Sequence, residues 1–201
     1  MKTMLIHHRV NSLKQASLVE KNTGAEIDLR MSFGEIIVAH DPKESGCTFT
    51  DWLEFFSGDF VVLNLKEMGI EEIVLTQLQT QRPELDYFFL DMIMPTLLKS
   101  LDKGMNCAAR ISEYESAEVV IKLNAPWYWL DSFSGSWDFL NTIDLKTDLK
   151  NKKFCVVSPE LQGRELGNGS EHLEIIQILK NLNLPLHAVC TKYPQFWAGY
   201  L

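Results

Sequence analysis

Histidines, carboxylates and basic side chains recur in the first third of the chain at spacings suited to acid–base and phosphate chemistry. They stand in four short groups: His7-His8-Arg9, Glu26-Ile27-Asp28, His40-Asp41-Pro42 and Asn64-Leu65-Lys66. Each group lies in or closes a β-like apolar run. Residues two apart on a strand share a face, so Glu26 and Asp28 present their carboxylates together, and Asn64 and Lys66 present an amide and an ammonium. Adjacent hard oxygen donors suit Mg²⁺ or Ca²⁺. Two histidines flanking such a centre can act as general base and general acid, each typically contributing on the order of 10² to 10⁴ in rate. Arg9 and Lys66 then neutralise a phosphate. A pair of carboxylates inside an apolar strand is costly to bury without partners, which favours a site over a solvated strand end. His7 and His8 are strand neighbours and face opposite sides; His8, beside Arg9, is the one expected in the site.

The elements that position these groups alternate regularly. Strands are predicted at 3–9, 25–30, 61–66, 87–91, 107–111, 127–133, 154–158 and 186–191, with helices at 13–21, 49–56, 70–80, 96–103, 117–123, 137–149 and 171–181. The last helix carries Leu173, Ile176, Ile178 and Leu179 as an apolar side, with Ser170 as its N-cap after Gly167-Asn168-Gly169. Ser32-Phe33-Gly34-Glu35 followed by Ile36-Ile37-Val38-Ala39-His40 reads as a turn and a returning strand. No GxGxxG or Walker loop follows the first strand. The expected class is therefore α/β, a compact (β/α)8 TIM barrel with a β-hairpin after strand two, as a single domain over residues 1–201. In that architecture chemistry collects at the C-terminal strand ends.

Composition restricts the partners. With 201 residues, 19 Lys and Arg against 27 Asp and Glu, the formal charge is −8, so no general field draws the protein to nucleic acid or anionic lipid. The opening Met-Lys-Thr-Met-Leu-Ile is followed at once by His7, His8 and Arg9, too short an apolar run for a signal peptide, and no stretch is long enough to span a bilayer. Cys47, Cys107, Cys155 and Cys190 lack metal-ligand spacing and are expected as reduced thiols. A cytoplasmic protein acting on a small molecule is expected; oligomeric state is not legible.

The four groups, in this order and near this spacing, resemble the glycerophosphodiester phosphodiesterases within the phosphatidylinositol-phospholipase-C-like barrel superfamily. The resemblance implies His8 and His40 as the acid and base pair, Glu26, Asp28 and Asn64 at the metal positions, and Arg9 and Lys66 as phosphate contacts. Trp129, near the end of the sixth barrel strand, is a further substrate-binding candidate. The implied activity is metal-dependent hydrolysis of a glycerophosphodiester or a related polyol or lipid-headgroup phosphodiester, with Mg²⁺ or Ca²⁺ as cofactor. Three departures stand out: Val10 follows His8-Arg9 where the family usually has Gly, the Glu-Asn-Thr that commonly follows is not recognisable, and Asn64 replaces the third metal carboxylate. Asp91, ending the fourth barrel strand, is a source of the missing charge. A weakened relative that binds a phosphorylated sugar or partner without turnover is the alternative.

Overall fold

The computed structural model describes residues 2–142, 151–165 and 169–201. They form two compact units, Ile6–Met105 and Met1–Leu5 with Asn106–Leu201.

The first unit contains the second half of β1 (Met4–His7), then α1 (Leu13–Ala16), β2 (Gly24–Ser32), β3 (Glu35–Val38), α2 (Phe49–Phe55), β4 (Phe60–Leu65), α3 (Glu71–Gln81), β5 (Asp86–Leu90) and α4 (Met94–Asp102). Its strand order is β5-β4-β2-β1, all parallel, with β3 antiparallel to β2. The expected hairpin is present. Phe33 and Gly34 form its two-residue loop at φ 49° and 88°, the left-handed pair that matches the twist of the flanking strands. Short polar side chains start the helices: Ser12 accepts the Gln15 N–H ahead of α1, and Thr48 accepts that of Asp51 ahead of α2. Helix α1 ends five residues short of its predicted end, and Asn22 turns left-handed with its N–H on Asp59. Helix α4 begins two residues earlier than predicted, with Pro95 in its first turn, where proline costs no hydrogen bond.

The second unit contains β6 (Ala108–Ile111), α5 (Ala117–Val120) with a 3₁₀ turn at Ile121–Leu123, β7 (Trp127–Leu130), β8 (Lys153–Val157), α6 (Ser170–Asn181), β9 (Ala188–Thr191) and α7 (Pro194–Ala198). Its parallel order is β1-β9-β8-β7-β6. The helix predicted at 137–149 is represented by a 3₁₀ turn at Asp138–Thr142; positions 143–150 lie outside the described residues, as do 166–168 of the expected Gly-Asn-Gly turn. Helix α6 corrects the sequence reading in two respects. Gly169, at φ 78°, caps it instead of Ser170, and its buried face is His172, Ile175 and Leu179, leaving Leu173 51% exposed. The rings of Phe196 and Trp197 in α7, each 4.8 Å from His172, draw that face inward.

Eight parallel strands among the described residues, each alternating with helical segments, are the βα units of a (β/α)8 barrel. The four cysteines are free thiols and three of them are buried. No described helix is long and apolar enough to cross a membrane.

Candidate active site

Register alone places the polar groups of the first unit on one face of its strands. Ile6 pairs with Gly24, Glu26 with Val62, Asp28 with Asn64, Val62 with Phe88 and Asn64 with Leu90. Side chains alternate across a sheet, so Ile6, Val62 and Phe88 form an apolar floor on the same face as Glu26, Asp28 and Asn64. His8 continues the Ile6 side, whereas His7 aligns with Ala25 on the opposite one. Glu26 and Asp28 sit in the middle of β2 and not at its end, because the strand runs on into the hairpin, and both are fully buried.

Three of the four carboxylate oxygens of this pair accept hydrogen bonds, and the fourth faces an ammonium. Glu26 Oε2 accepts the Arg9 backbone N–H at 2.8 Å and lies 3.8 Å from His8 Nε2, while Glu26 Oε1 accepts Asn64 Nδ2–H at 2.8 Å. Asp28 Oδ2 accepts Asn11 Nδ2–H at 2.7 Å and stands 3.9 Å from Arg9 Nε. Asp28 Oδ1 has no hydrogen bond of good geometry but faces the Lys66 ammonium at 3.1 Å, and that ammonium also lies 3.6 Å from Asp91 Oδ2. Two buried carboxylates thus face two cations, and Asp91 adds a third acid on Lys66. Burial pushes the Glu26 carboxyl up to about 7, with the neighbouring Asp28 charge adding to the effect and the Asn64 and Arg9 hydrogen bonds opposing it.

His40 enters from the loop after β3. Its Nε2 lies 2.7 Å from Arg9 Nη2 and its Nδ1 lies 2.9 Å from Asp41 Oδ1. A guanidinium can only donate, so Nε2 is the acceptor and the ring proton sits on Nδ1, donated to Asp41. The loop is tied down by Glu44 Oε2, which accepts the backbone N–H groups of His40 and Asp41, and by Ala39 N–H donating to the Asp28 carbonyl. Arg9 and Asp91, at opposite ends of this constellation, hold left-handed backbones at φ 53° and 62°; such conformations in non-glycine residues persist where the surroundings over-determine them.

The structure therefore gathers His8, Arg9, Glu26, Asp28, His40, Asn64, Lys66 and Asp91 into one hydrogen-bonded and ionic network. Trp129 belongs to the other unit, buried in β7 between Arg110 and Cys155 in register. Sequence reasoning passed over Asn11, which clamps Asp28 by donating to its carboxylate and accepting its backbone N–H at 3.1 Å, and Glu44, which shapes the His40 turn. A polar residue in the short loop between β1 and α1 is the only mark of Asn11. Beside Lys66 and Asp91 opens a cavity of about 110 Å³ whose walls include Met68, Met92 and Ile93.

Glu26, Asp28 and Asn64 meet, but as arranged they do not fit a divalent cation. Asn64 turns an N–H donor toward Glu26, Lys66 occupies the open side of Asp28, and Asn64 Oδ1 is the single oxygen of the three side chains without a donor near it. Among the described residues no three His, Cys, Asp or Glu side chains converge as a metal set.

No family model and no curated protein sequence matches the chain. Solved structures do. The glycerophosphodiester phosphodiesterase of Thermotoga maritima aligns at a TM-score of 0.72 and 14% identity over 100% of this chain and 99% of its own. A glycerophosphodiester phosphodiesterase of Agrobacterium tumefaciens aligns at 0.64 and 13% identity over 98% of each chain. The (β/α)8 barrel expected from the element order is thereby shown. Motifs and architecture point the same way, and the resemblance to the glycerophosphodiester phosphodiesterases is borne out at the level of the fold.

Proposed function

We propose that the chain hydrolyses a phosphodiester of glycerol, a related polyol or a lipid headgroup. The contact that carries this reading is Arg9 Nη2 on His40 Nε2 at 2.7 Å, with Asp41 holding the far side of the ring. A phosphate is a stronger acceptor for a guanidinium than a neutral imidazole is, so an arriving diester draws Arg9 onto its oxygens and leaves the His40 lone pair bare. Lys66, shared between Asp28 and Asp91, supplies a second positive charge beside it.

The reaction then balances as an ordinary displacement. His40 Nε2 takes a proton from the attacking water, or from a neighbouring substrate hydroxyl, as its oxygen bonds to phosphorus. The ester P–O bond breaks, and the departing alkoxide takes a proton from the His8 imidazolium. With water as the attacking group the products are a phosphomonoester and an alcohol. Glu26 Oε2 stands 3.8 Å from His8 Nε2, facing the ring that gives this proton. The divalent ion expected from the motifs has no step here, because the donors that would hold it are engaged with one another. Trp129, expected as a substrate contact, takes no step either.

The test is release of p-nitrophenol from bis(p-nitrophenyl) phosphate and of glycerol 3-phosphate from glycerophosphodiesters by the full chain. Activity that survives unchanged in a His8→Ala, His40→Ala double variant would refute the assignment. Asn64 in place of a carboxylate favours one second reading: recognition of a phosphorylated sugar or partner without turnover. That reading is supported if glycerol 3-phosphate binds saturably while none of the diesters is cleaved.

A further inference from the structure

Resting on the reading of this site as a phosphodiester site, we infer that Lys66 is its resident cation and that phosphate is held there without a divalent metal, Asn64 being the residue that sets this. Three contacts argue for it together. Asn64 donates to Glu26 Oε1 across 2.8 Å, so a cation approaching that oxygen meets an N–H of like polarity. The Lys66 ammonium stands 3.1 Å from Asp28 Oδ1, the one oxygen of this carboxylate pair that accepts no hydrogen bond, and so faces the oxygen a divalent ion would need. Asn11 and the Arg9 backbone N–H take the remaining oxygens from the other side.

Charge makes the same point. Glu26, Asp28 and Asp91 carry at most three negative charges, against two positive ones on Arg9 and Lys66. A carboxylate at position 64 would add a fourth negative charge and raise the demand for a metal; the neutral amide lowers it. An entering Mg²⁺ or Ca²⁺ would have to expel Lys66 and turn the Asn64 amide, exchanging satisfied contacts for an incomplete oxygen shell. With Lys66 in place, the positive field that a bound phosphate needs is built into the chain, supplied by a side chain 18% exposed and pinned between Asp28 and Asp91.

The experiment reads metal binding and needs no turnover, so it separates this inference from the hydrolase reading. Wild-type protein is stripped with EDTA, exchanged into metal-free buffer, and titrated calorimetrically with Mg²⁺, Ca²⁺ and Mn²⁺, with thermal melts recorded alongside. The expected result is no saturable binding and an unmoved melt up to about 5 mM ion, because a ligand stabilises only in proportion to its occupancy of the folded state. Asn64→Asp is expected to acquire binding, with a melt that rises by several degrees on adding the same ions. Asn64→Glu repeats the comparison with a longer arm should the aspartate variant fold poorly. Inorganic phosphate and glycerol 3-phosphate are then titrated in EDTA against wild type and Lys66→Met. Binding in EDTA that weakens at least about tenfold in Lys66→Met supports the inference, a tenfold change being 1.4 kcal/mol. Micromolar divalent binding by wild type overturns it, as does phosphate binding that appears only when a divalent ion is added. A diester assay giving no product while these titrations come out as expected would defeat the hydrolase reading and leave this one standing.

Discussion

The Arg9 guanidinium and the His40 imidazole meet at 2.7 Å, joining the end of β1 to the loop after the hairpin. Because guanidinium has no lone pair to offer, this one contact decides the tautomer of His40 and leaves the free lone pair on its Nε2. His40→Ala is expected to lower kcat/KM for a glycerophosphodiester by about 10² to 10⁴, the range of a general base. Asp41→Asn keeps the ring but weakens its orientation, and a loss of about tenfold is expected, concentrated in kcat. Steady-state kinetics on both variants checks the order of these effects.

Glu26 makes stability depend on pH in an unusual direction. Its carboxyl is raised to about 7 in the folded state, so between about 4.5 and 7 the folded protein binds more protons than the unfolded chain, and stability falls as pH rises through that window. The full effect is about 3 kcal/mol. Glu26→Gln removes the titrating group while preserving its shape. Urea unfolding of both proteins from pH 5 to 8 should show the wild type losing stability relative to the variant toward neutrality, with the difference between them constant above about 7.5.

His172 acts in the opposite sense. It is buried with no hydrogen bond to either ring nitrogen, enclosed by Phe196, Trp197 and Tyr200, and burial lowers its pKa despite the nearby charges of Glu160 and Glu171. A depressed folded pKa means stability is lost as pH falls from the unfolded value near 6.5 toward the folded one. His172→Phe should melt within a few degrees of wild type at pH 8 and above it at pH 5. An unchanged difference between the two pH values would contradict this account.

Gly46 connects backbone space to the site. An added Cβ there would fall 2.1 Å from the Val38 carbonyl oxygen, an impossible distance, so the loop bearing His40 and Asp41 would have to move. Gly46→Ala is expected to cost about 1 to 3 kcal/mol in stability and to reduce activity without touching a reacting group. Thermal melts paired with kinetics check both halves, and a stable variant with full activity would count against the role given to this loop.

Much of this molecule is legible in its residues. The alternation of short apolar runs with amphipathic stretches marks eight strands and the hairpin, because periods of 2 and 3.6 are direct consequences of backbone geometry. Position two apart on β2 pairs Glu26 with Asp28 before any tertiary contact is known, and the opposite facing of His7 and His8 follows from the same rule. Local signals fail where long-range packing decides. Helix α6 has a hydrophobic stripe at Leu173, but the rings of α7 select His172 instead, and α1 stops at Ala16, ahead of the turn in which Asn22 is claimed by Asp59, 37 positions away.

The residues alone dictate the inventory: which strands form, which face each strand side chain takes, and that a carboxylate is absent at position 64. What that inventory does is settled by contacts between elements. The partners of Glu26 and Asp28 come from the loop that follows β1, from β4 and from the residue just after it, and hydrogen bonds of 2.7 to 3.1 Å cannot be read from linear spacing. It is this assembly that turns Asn64 into a donor, sets Lys66 against Asp28 and gives His40 its lone pair. The physical reason is that charge and proton placement depend on distances of a few ångströms between residues that lie tens of positions apart in the chain.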